Sequence, residues 1–166
     1  MLDKFKLVLA GLLLVSSLVL PMLGLLYGWW HWDAVSGILL MVGTFLILIM
    51  ISGFLLLSIK DITWFSVFLP YIFGTVYGFL PDSIVFSFDD AAALTAGAIF
   101  TQALTFRKQP GTPRWIILPL LAAGVYAFIG GYIPGTIDEL FVDVIGLIIA
   151  WIGIRQGSKG NLKIAD

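Results

Sequence analysis

Apolar residues fill long stretches of this chain, and polar residues collect in the short connections between them. Six stretches each approach the roughly 20 residues that a helix needs to cross a bilayer. They lie at residues 7–27, 34–58, 62–80, 87–106, 115–133 and 135–154. The pattern predicts an all-α integral membrane protein with six transmembrane helices in one domain over 1–166. Its three hairpins are expected at about 5–58, 62–106 and 115–155, followed by a tail at 156–166.

The composition points to the same class of protein. Of the 166 residues, 60% are hydrophobic and 11% are charged, and the mean hydropathy is +1.07. These values lie outside the range of soluble domains. Residues 1–20 resemble a signal peptide, but no small-residue cleavage pattern follows, so the first stretch is predicted to be a retained span. The absence of cysteine excludes a disulfide framework, a thiol nucleophile and a cysteine-ligated metal.

Charge is sorted between the two ends of the predicted helices. All nine basic residues fall on one side: Lys4, Lys6, Lys60, Arg107, Lys108, Arg114, Arg155, Lys159 and Lys163. Seven of the ten acids fall on the other: Asp33, Asp82, Asp89, Asp90, Asp138, Glu139 and Asp143. Because basic loops stay in the cytoplasm, both termini are predicted to be cytoplasmic, in the inner membrane of a bacterium or archaeon. Asp33 and Asp82 are expected to be turn or cap residues.

Tryptophans mark the expected membrane interfaces. Trp29, Trp30 and Trp32 surround the first outer turn, and Trp64 and Trp115 lie at the inner side. Tryptophan prefers the headgroup level, where one end of its ring is apolar and the other is wet. These five residues are therefore predicted to be interfacial anchors.

An internal repeat relates the second and third hairpins. A shift of 53 residues aligns Gly78 with Gly131, Pro81 with Pro134 and Asp90 with Asp143. A fainter copy in the first hairpin predicts three tandem hairpins of like orientation. Small residues inside the spans are predicted to let helices approach closely. The glycines concerned are Gly37, Gly43, Gly97, Gly146 and Gly153.

The phrases of this repeat carry a family resemblance. They read G-V-Y-A-F-I-G-G-Y-I-P-G-T, then V-I-G-L-I-I-A-W-I-G-I, with G-L-L-L-V-S-S-L-V-L-P and D-A-V-S-G-I-L-L-M-V-G in the first hairpin. The pattern resembles HdeD-like membrane proteins, small six-helix proteins of three hairpins whose namesake is linked to bacterial acid resistance. The resemblance implies the same architecture and an acid-stress setting, and it assigns no catalytic or ligand residue.

The outward acids are the candidate site. A sixth helix starting near Gly135 places Asp143 about 12 Å below the outer boundary, where an ionised acid needs a wet cavity, a partner or a proton. Glu139 lies one turn away on the same face. The predicted ligand- or cation-binding residues are Asp90, Glu139 and Asp143, with Asp89 and Asp138. Candidate hydrogen-bond donors within the spans are Thr95, Thr101, Gln102, Tyr77, Tyr126 and Tyr132.

Three interpretations of these acids stay open. In the first, they converge into an outward-facing vestibule that binds a cation or cationic solute through oxygen ligands, with the identity of any metal unspecified. In the second, the two acids Glu139 and Asp143 form a coupled pair in which one pKa is raised, and the site responds to external acidity. In the third, the sixth helix starts near Asp138, and Asp143 only bonds the end of a neighbouring helix.

The sequence predicts a non-enzymatic protein that binds or passes a small cation or solute from its outer face, without a cofactor. No G-x-S-x-G, H-E-x-x-H or P-loop is present, although a membrane hydrolase built on paired acids stays open. The expected partners are the lipid bilayer and a partner subunit or second copy. The thinly spread bases do not indicate nucleic-acid binding. The alternatives are a structural or regulatory subunit, and the substrate-binding component of a vitamin uptake transporter.

Overall fold

The computed structural model describes residues 2–78, 88–129 and 137–162, and this part of the chain is helical without a strand. The helices are α1 (Leu2–His31), α2 (Ala34–Leu57), α3 (Trp64–Tyr77), α4 (Phe88–Lys108), α5 (Ile117–Ile129) and α6 (Ile137–Leu162). A single 3₁₀ turn, Arg114–Ile116, precedes α5. The all-α prediction is confirmed. The predicted turns that hold Pro81, Asp82 and Pro134 lie outside the described residues.

Among the described residues, two helices are long and apolar enough to cross a membrane. They are α1, with 30 residues and a mean hydropathy of 2.4, and α2, with 24 residues and a mean hydropathy of 2.7. Within the described residues α3 and the segment Arg114–Ile129 are apolar but shorter. At about 45 Å, α1 extends beyond the predicted span 7–27 at both ends. It continues through Pro21 to His31, two residues before Asp33, the N-cap residue of α2.

Helices α1 and α2 pack through stripes of buried residues spaced three or four apart. On α1 this stripe consists of Ala10, Leu14, Ser17, Pro21, Leu25 and Gly28. On α2 it includes Gly37, Met41, Phe45, Ile49 and Ser52. A Cβ atom placed on Gly28 would lie 2.5 Å from the Cα of Gly37. The two backbones therefore touch at this level, which a side chain at either glycine would prevent.

Side-chain caps start α2 and α3. The Asp33 carboxylate accepts a hydrogen bond of 2.7 Å from the backbone N–H of Ser36, and its extended backbone is that of an N-cap residue. Thr63 accepts a hydrogen bond of 3.2 Å from the N–H of Ser66 in the same way. The predicted role of Asp33 as a turn or cap residue is confirmed.

Close glycine contacts also join the later helices. A Cβ on Gly97 would lie 2.6 Å from the carbonyl oxygen of Pro70, and one on Gly146 would lie 2.9 Å from that of Pro119. Gly153 lies against the side chains of Ile116 and Trp115. The predicted packing role is thus confirmed for Gly37, Gly97, Gly146 and Gly153. It is wrong for Gly43, where a Cβ would meet nothing within 4 Å because that part of α2 faces away from its neighbours.

Hydrogen bonds gather the basic segments at one end of the bundle. Lys6 Nζ donates to the carbonyl oxygen of Ser58 at 3.3 Å, Lys108 donates to that of Ile62, and Gln109 donates to that of Ile154 at 3.2 Å. One end of the bundle therefore contains the starts of α1 and α3 together with the ends of α2, α4 and α6. We call this the basic end, and the opposite end, where Asp33 caps α2, the acidic end.

The outer faces of the helices are apolar. On α1 large hydrophobic side chains more than half exposed recur every three or four residues, at Val8, Leu12, Val15, Val19, Leu23 and Leu26. The interior instead holds buried polar residues such as Ser17 and Ser52, each bonded to a carbonyl of its own helix. An exposed apolar surface of this extent is unusual for a soluble monomer.

Candidate functional site

Asp143 is a buried carboxylate in the interior of the bundle. It lies on α6 and is only 3% exposed. The hydroxyl of Tyr71 on α3, which is itself fully buried, donates to Oδ1 of Asp143 at 3.4 Å. Tyr71 lies six residues before the end of α3, and Asp143 lies six residues into the described part of α6. Tyr71 is thus about 9 Å from the end of α3, and Asp143 is the same distance from the start of the described part of α6. Both residues therefore lie at the same depth of the bundle.

Small residues make room for this pair. A Cβ on Gly146, one turn after Asp143, would lie 3.6 Å from the Tyr71 hydroxyl. On the other side of Tyr71, a Cβ on Gly97 of α4 would lie 2.8 Å from its Cα. Both glycines therefore let neighbouring helices close around Tyr71, and the tyrosine ring fills the space between them.

The Asp143 carboxylate has few hydrogen bonds for a buried charge. Hydroxyl–oxygen bonds are usually about 2.7–2.8 Å long, so the Tyr71 contact is a weak one. Thr75, one turn after Tyr71 on α3, lies beside the same carboxylate, yet its buried Oγ1 makes no hydrogen bond of normal geometry within the described structure. Since a carboxylate accepts several hydrogen bonds, Asp143 and Thr75 keep unused capacity for a ligand, a proton or a cation.

Asp138 has a different partner on a different helix. It is 9% exposed, and the hydroxyl of Tyr126 on α5 donates to its Oδ2 at 2.8 Å. Five residues separate Asp138 from Asp143, which turns the two side chains about 140° apart around the helix. This rotation directs Asp138 to α5 and Asp143 to α3. Tyr126, one of the donors expected from the sequence for Asp143, donates instead to Asp138.

Asp90 is the third member of the predicted set that the structure describes. It lies near the start of α4 and is 3% exposed. A Cβ on Gly78, just after α3, would lie 3.8 Å from its Cγ. The side chains of Asp89 and Glu139 lie outside the described part of the structure. The three described acids of the predicted set are therefore buried, but Asp90, Asp138 and Asp143 each have their own neighbours.

Within the described side chains, no group of three or more His, Cys, Asp or Glu residues is arranged to hold a metal ion. A vestibule of converging acids has no counterpart in that part of the chain. The third interpretation of Asp143 matches the geometry only in part: the described part of α6 begins at Ile137, next to Asp138, but Tyr71 lies in the middle of α3 and not at a helix end.

Tyr71 and Thr75 were not among the donors expected from the sequence. They lie in an aromatic-rich stretch, and 72 residues separate Tyr71 from Asp143. Their spacing of four residues puts two hydroxyl groups on one face of α3. That spacing was the one signal available, and nothing in the sequence connects it with α6.

A second polar pair is buried deeper on α4. Thr101 is 1% exposed and Gln102 is 6% exposed. Thr101 Oγ1 and Gln102 Oε1 make no hydrogen bond within the described structure. Thr101 lies one turn beyond Gly97, the glycine that contacts Tyr71, in the direction of the basic end. Buried polar atoms without partners are costly, so this position is a second site of unused hydrogen-bonding capacity.

The predicted tryptophan anchors differ in their surroundings. Trp29, Trp30 and Trp32 are strongly exposed at the acidic end, and Trp115 is 41% exposed at the basic end. Trp64 instead packs edge-to-face against Trp151 of α6, with ring centroids 5.7 Å apart. Trp64 therefore contributes to helix packing as well as lying at the basic end.

No protein family model, curated protein or solved structure matches this chain.

Proposed function

We propose that this chain is a six-span membrane protein with both termini in the cytoplasm, and that it binds or passes a small monovalent cation or protonated amine. The ligand enters from the acidic end and pairs with Asp143. The observation that carries the proposal is the burial of Asp143 with a single weak hydroxyl bond and, among the described residues, no lysine or arginine beside it.

The membrane location is supported by the surface and the charge of the bundle. Two helices have the length and hydropathy of membrane spans, and large apolar side chains cover the outer faces. The basic residues meet at one end, as they do on the cytoplasmic side of membrane proteins. A hydrocarbon environment would solvate the apolar faces and leave both charged ends in water.

Burial of corresponding residues supports the hairpin repeat. Gly74 of α3 contacts Ala93 of α4. The shift of 53 residues aligns Gly74 with Ala127 of α5 and Ala93 with Gly146 of α6. All four are buried. Asp90 and Asp143, which the same shift aligns, are both 3% exposed. The two hairpins thus bury small residues and one acid at equivalent positions, as copies of one unit would.

A monovalent cation fits the Asp143 site better than a divalent one. Ca²⁺ takes six to eight oxygen ligands, usually including several carboxylates. In the described structure the immediate neighbours of Asp143 are two uncharged hydroxyls, those of Tyr71 and Thr75. One carboxylate balances one positive charge, and the hydroxyl oxygens can accept hydrogen bonds from an ammonium group or coordinate a small ion.

The buried polar atoms of Thr101 and Gln102 support passage through the bundle as well as binding. They lie beyond Tyr71 towards the basic end, so they extend the polar interior past Asp143. The resemblance to HdeD-like proteins adds acid stress as a physiological setting for the same site.

The test is a thermal-shift screen of the detergent-purified protein with Na⁺, K⁺, ammonium, small primary amines, Mg²⁺ and Ca²⁺. A bound ligand stabilises the folded state in proportion to its affinity. We expect a monovalent ligand to raise the melting temperature and Asp143→Asn to abolish the increase. Asp33→Asn is the matched control, because it removes an outward carboxylate that only caps α2. A screen without a stabilising ligand, or a shift that survives in Asp143→Asn, contradicts the proposal.

A second candidate, a subunit of a membrane complex, is favoured by the surface between α4 and α5. An open groove of about 580 Å³ there is lined by small residues that include Ala91, Ala92, Thr95 and Gly124. Small residues let a partner helix approach closely in a membrane. This function predicts a stoichiometric partner after purification in mild detergent, and a solitary monodisperse protein counts against it.

A further inference from the structure

An apolar groove runs between α3 and α6 on the surface of the bundle. It is open along one side and has a volume of about 410 Å³, within the range of about 300–1,000 Å³ that ligand sites span. Its walls include Trp64, Phe68 and Ile72 of α3 and Leu147, Ile148 and Trp151 of α6. Asp143 lies one turn before Leu147, and Tyr71 directly precedes Ile72. The groove therefore extends from the level of the Asp143 site to the basic end.

Positive charge lies at the basic end of both walls. Lys108 Nζ lies 5.3 Å from the ring centre of Trp64, and the guanidinium carbon of Arg155 lies 5.2 Å from that of Trp151. Lys108 also donates to the carbonyl oxygen of Ile62. Within the described structure Arg155 interacts with the ring of Trp151 alone. Its guanidinium N–H groups are therefore available to an anion.

The surroundings of Lys108 keep this end positive. A polar cavity of about 330 Å³ adjoins it and is lined by Lys60, Asp61, Ile62, Thr63, Arg107 and Lys108. Its lining contains three basic side chains and one carboxylate, that of Asp61. Arg155 adds a further positive charge on the α6 side, and the described walls of the groove carry no acid.

We propose that this groove binds one acyl chain of an anionic phospholipid, whose headgroup is held by Lys108 and Arg155. Apolar walls match the chain, and basic residues between helices at the cytoplasmic side match an acidic headgroup. A second copy of this protein matches less well, because copies with the same orientation bring two basic ends to the same level of the bilayer. The inference rests on the proposed membrane location but not on the proposed Asp143 site.

Native mass spectrometry from mild detergent tests this, with phosphatidylglycerol and phosphatidylcholine of identical acyl chains as the probes. Each cation near the headgroup contributes about fivefold in affinity for an anionic lipid. We expect at least that preference for phosphatidylglycerol, and we expect Lys108→Gln with Arg155→Gln to remove it. Lys4→Gln with Lys6→Gln is the matched control, since it removes two charges from the same end on α1 and should retain the preference.

A second measurement locates the acyl chain. In a variant whose Trp29, Trp30, Trp32 and Trp115 are replaced by phenylalanine, the remaining tryptophan fluorescence comes from the two groove tryptophans, Trp64 and Trp151. Phosphatidylglycerol brominated on its chains should quench this fluorescence more than the equally brominated phosphatidylcholine does. Ile148→Trp should fill the groove and lower the binding of both lipids. Because the added tryptophan would itself fluoresce, this variant is measured by mass spectrometry.

Three outcomes overturn the inference. They are an absence of lipid preference, a preference that survives the loss of Lys108 and Arg155, and a dimer that forms without lipid and excludes it. The last outcome assigns the groove to a second copy. Asp143→Asn should keep the lipid preference, and the Lys108 and Arg155 double variant should keep the cation-dependent thermal shift. Failure of the lipid site and failure of the cation site are therefore distinguishable.

Discussion

Asp143 is a buried carboxylate with little hydrogen-bond compensation in the described structure. Its carboxylate is 3% exposed, and its donor, Tyr71, lies at a distance longer than a normal hydroxyl bond. Burial of a charge without full compensation lowers stability. Natural proteins retain such groups where function needs them, at the expense of stability. In the proposed function a ligand cation supplies the missing compensation, so Asp143 is the centre of the proposed site.

This cost makes a prediction about the ligand-free protein. Asp143→Asn should raise its free energy of unfolding by about 1–3 kcal/mol, because the variant removes a poorly compensated buried group. Chemical unfolding in detergent measures the change. Asp33→Asn should be close to neutral, since Asp and Asn are equally good N-caps. Loss of stability in Asp143→Asn would show that the carboxylate is well satisfied in the native protein.

The Tyr71 hydroxyl should matter for the ligand more than for the fold. Tyr71→Phe removes one long hydrogen bond, so the affinity for the stabilising cation should fall by roughly threefold to tenfold. Titration calorimetry measures the affinity. Tyr126→Phe is the matched control, because that hydroxyl donates to Asp138 and not to Asp143. Equal losses of affinity in the two variants would mean that Asp138 and Asp143 act as one site.

Protons should compete with the cation for Asp143. As the pH falls, the carboxylate becomes neutral and loses the charge that attracts the ligand. The cation-dependent rise in melting temperature should therefore shrink towards acid pH and disappear in Asp143→Asn at every pH. Thermal-shift titrations across a pH series measure this. A ligand shift that grows on acidification would instead indicate a site that prefers the protonated acid.

At the scale of helices, close approach is decided by the few glycines that face a partner. Gly37 and Gly43 lie on the same helix, six residues apart, and look alike in the sequence. The Cβ position of Gly37 lies 2.7 Å from the carbonyl oxygen of Leu25, whereas that of Gly43 is open. Periodicity predicted the helix, but which glycine packs depends on the rotation of α2 against α1.

Substitution of these two glycines should change stability in opposite directions. Gly43→Ala should raise the free energy of unfolding by up to about 1 kcal/mol, because alanine favours the helix and meets no neighbour. Gly37→Ala should lower it, since the added methyl group must push against the backbone of α1. Thermal unfolding in one detergent compares the pair directly. A stabilising Gly37→Ala would show that α1 and α2 are not in backbone contact.

At the scale of the whole molecule, the charge pattern and the fold agree on two distinct ends. Lys6, Lys108 and Gln109 each donate to a carbonyl at the basic end that lies 45 or more residues away along the chain. The sequence predicted this grouping, because its basic residues lie in every second connection between the predicted helices. Helices of similar length that alternate in direction bring those connections to the same end of the bundle. The proposed orientation in the membrane follows from the same sorting.

The chain has no cysteine, so single-cysteine variants report orientation cleanly. Ala34→Cys, exposed at the acidic end, should react with a membrane-impermeant maleimide in intact cells. Gly111→Cys, exposed at the basic end, should react only after the membrane is permeabilised. Labelling of Gly111→Cys in intact cells would reverse the orientation, and labelling of both variants in a detergent-free soluble fraction would contradict the membrane location.

Properties that depend on neighbours along the chain follow from the sequence alone. The apolar helices, the cap at Asp33 and the separation of bases from acids all follow from local composition and spacing. The tertiary structure decided which helices meet and by which faces. Tyr71 reaches Asp143 across 72 residues, and Asp138 turns to α5 while Asp143 turns to α3. These contacts depend on the rotation and pairing of whole helices, and apolar helices of similar composition leave that choice to the packing of their side chains.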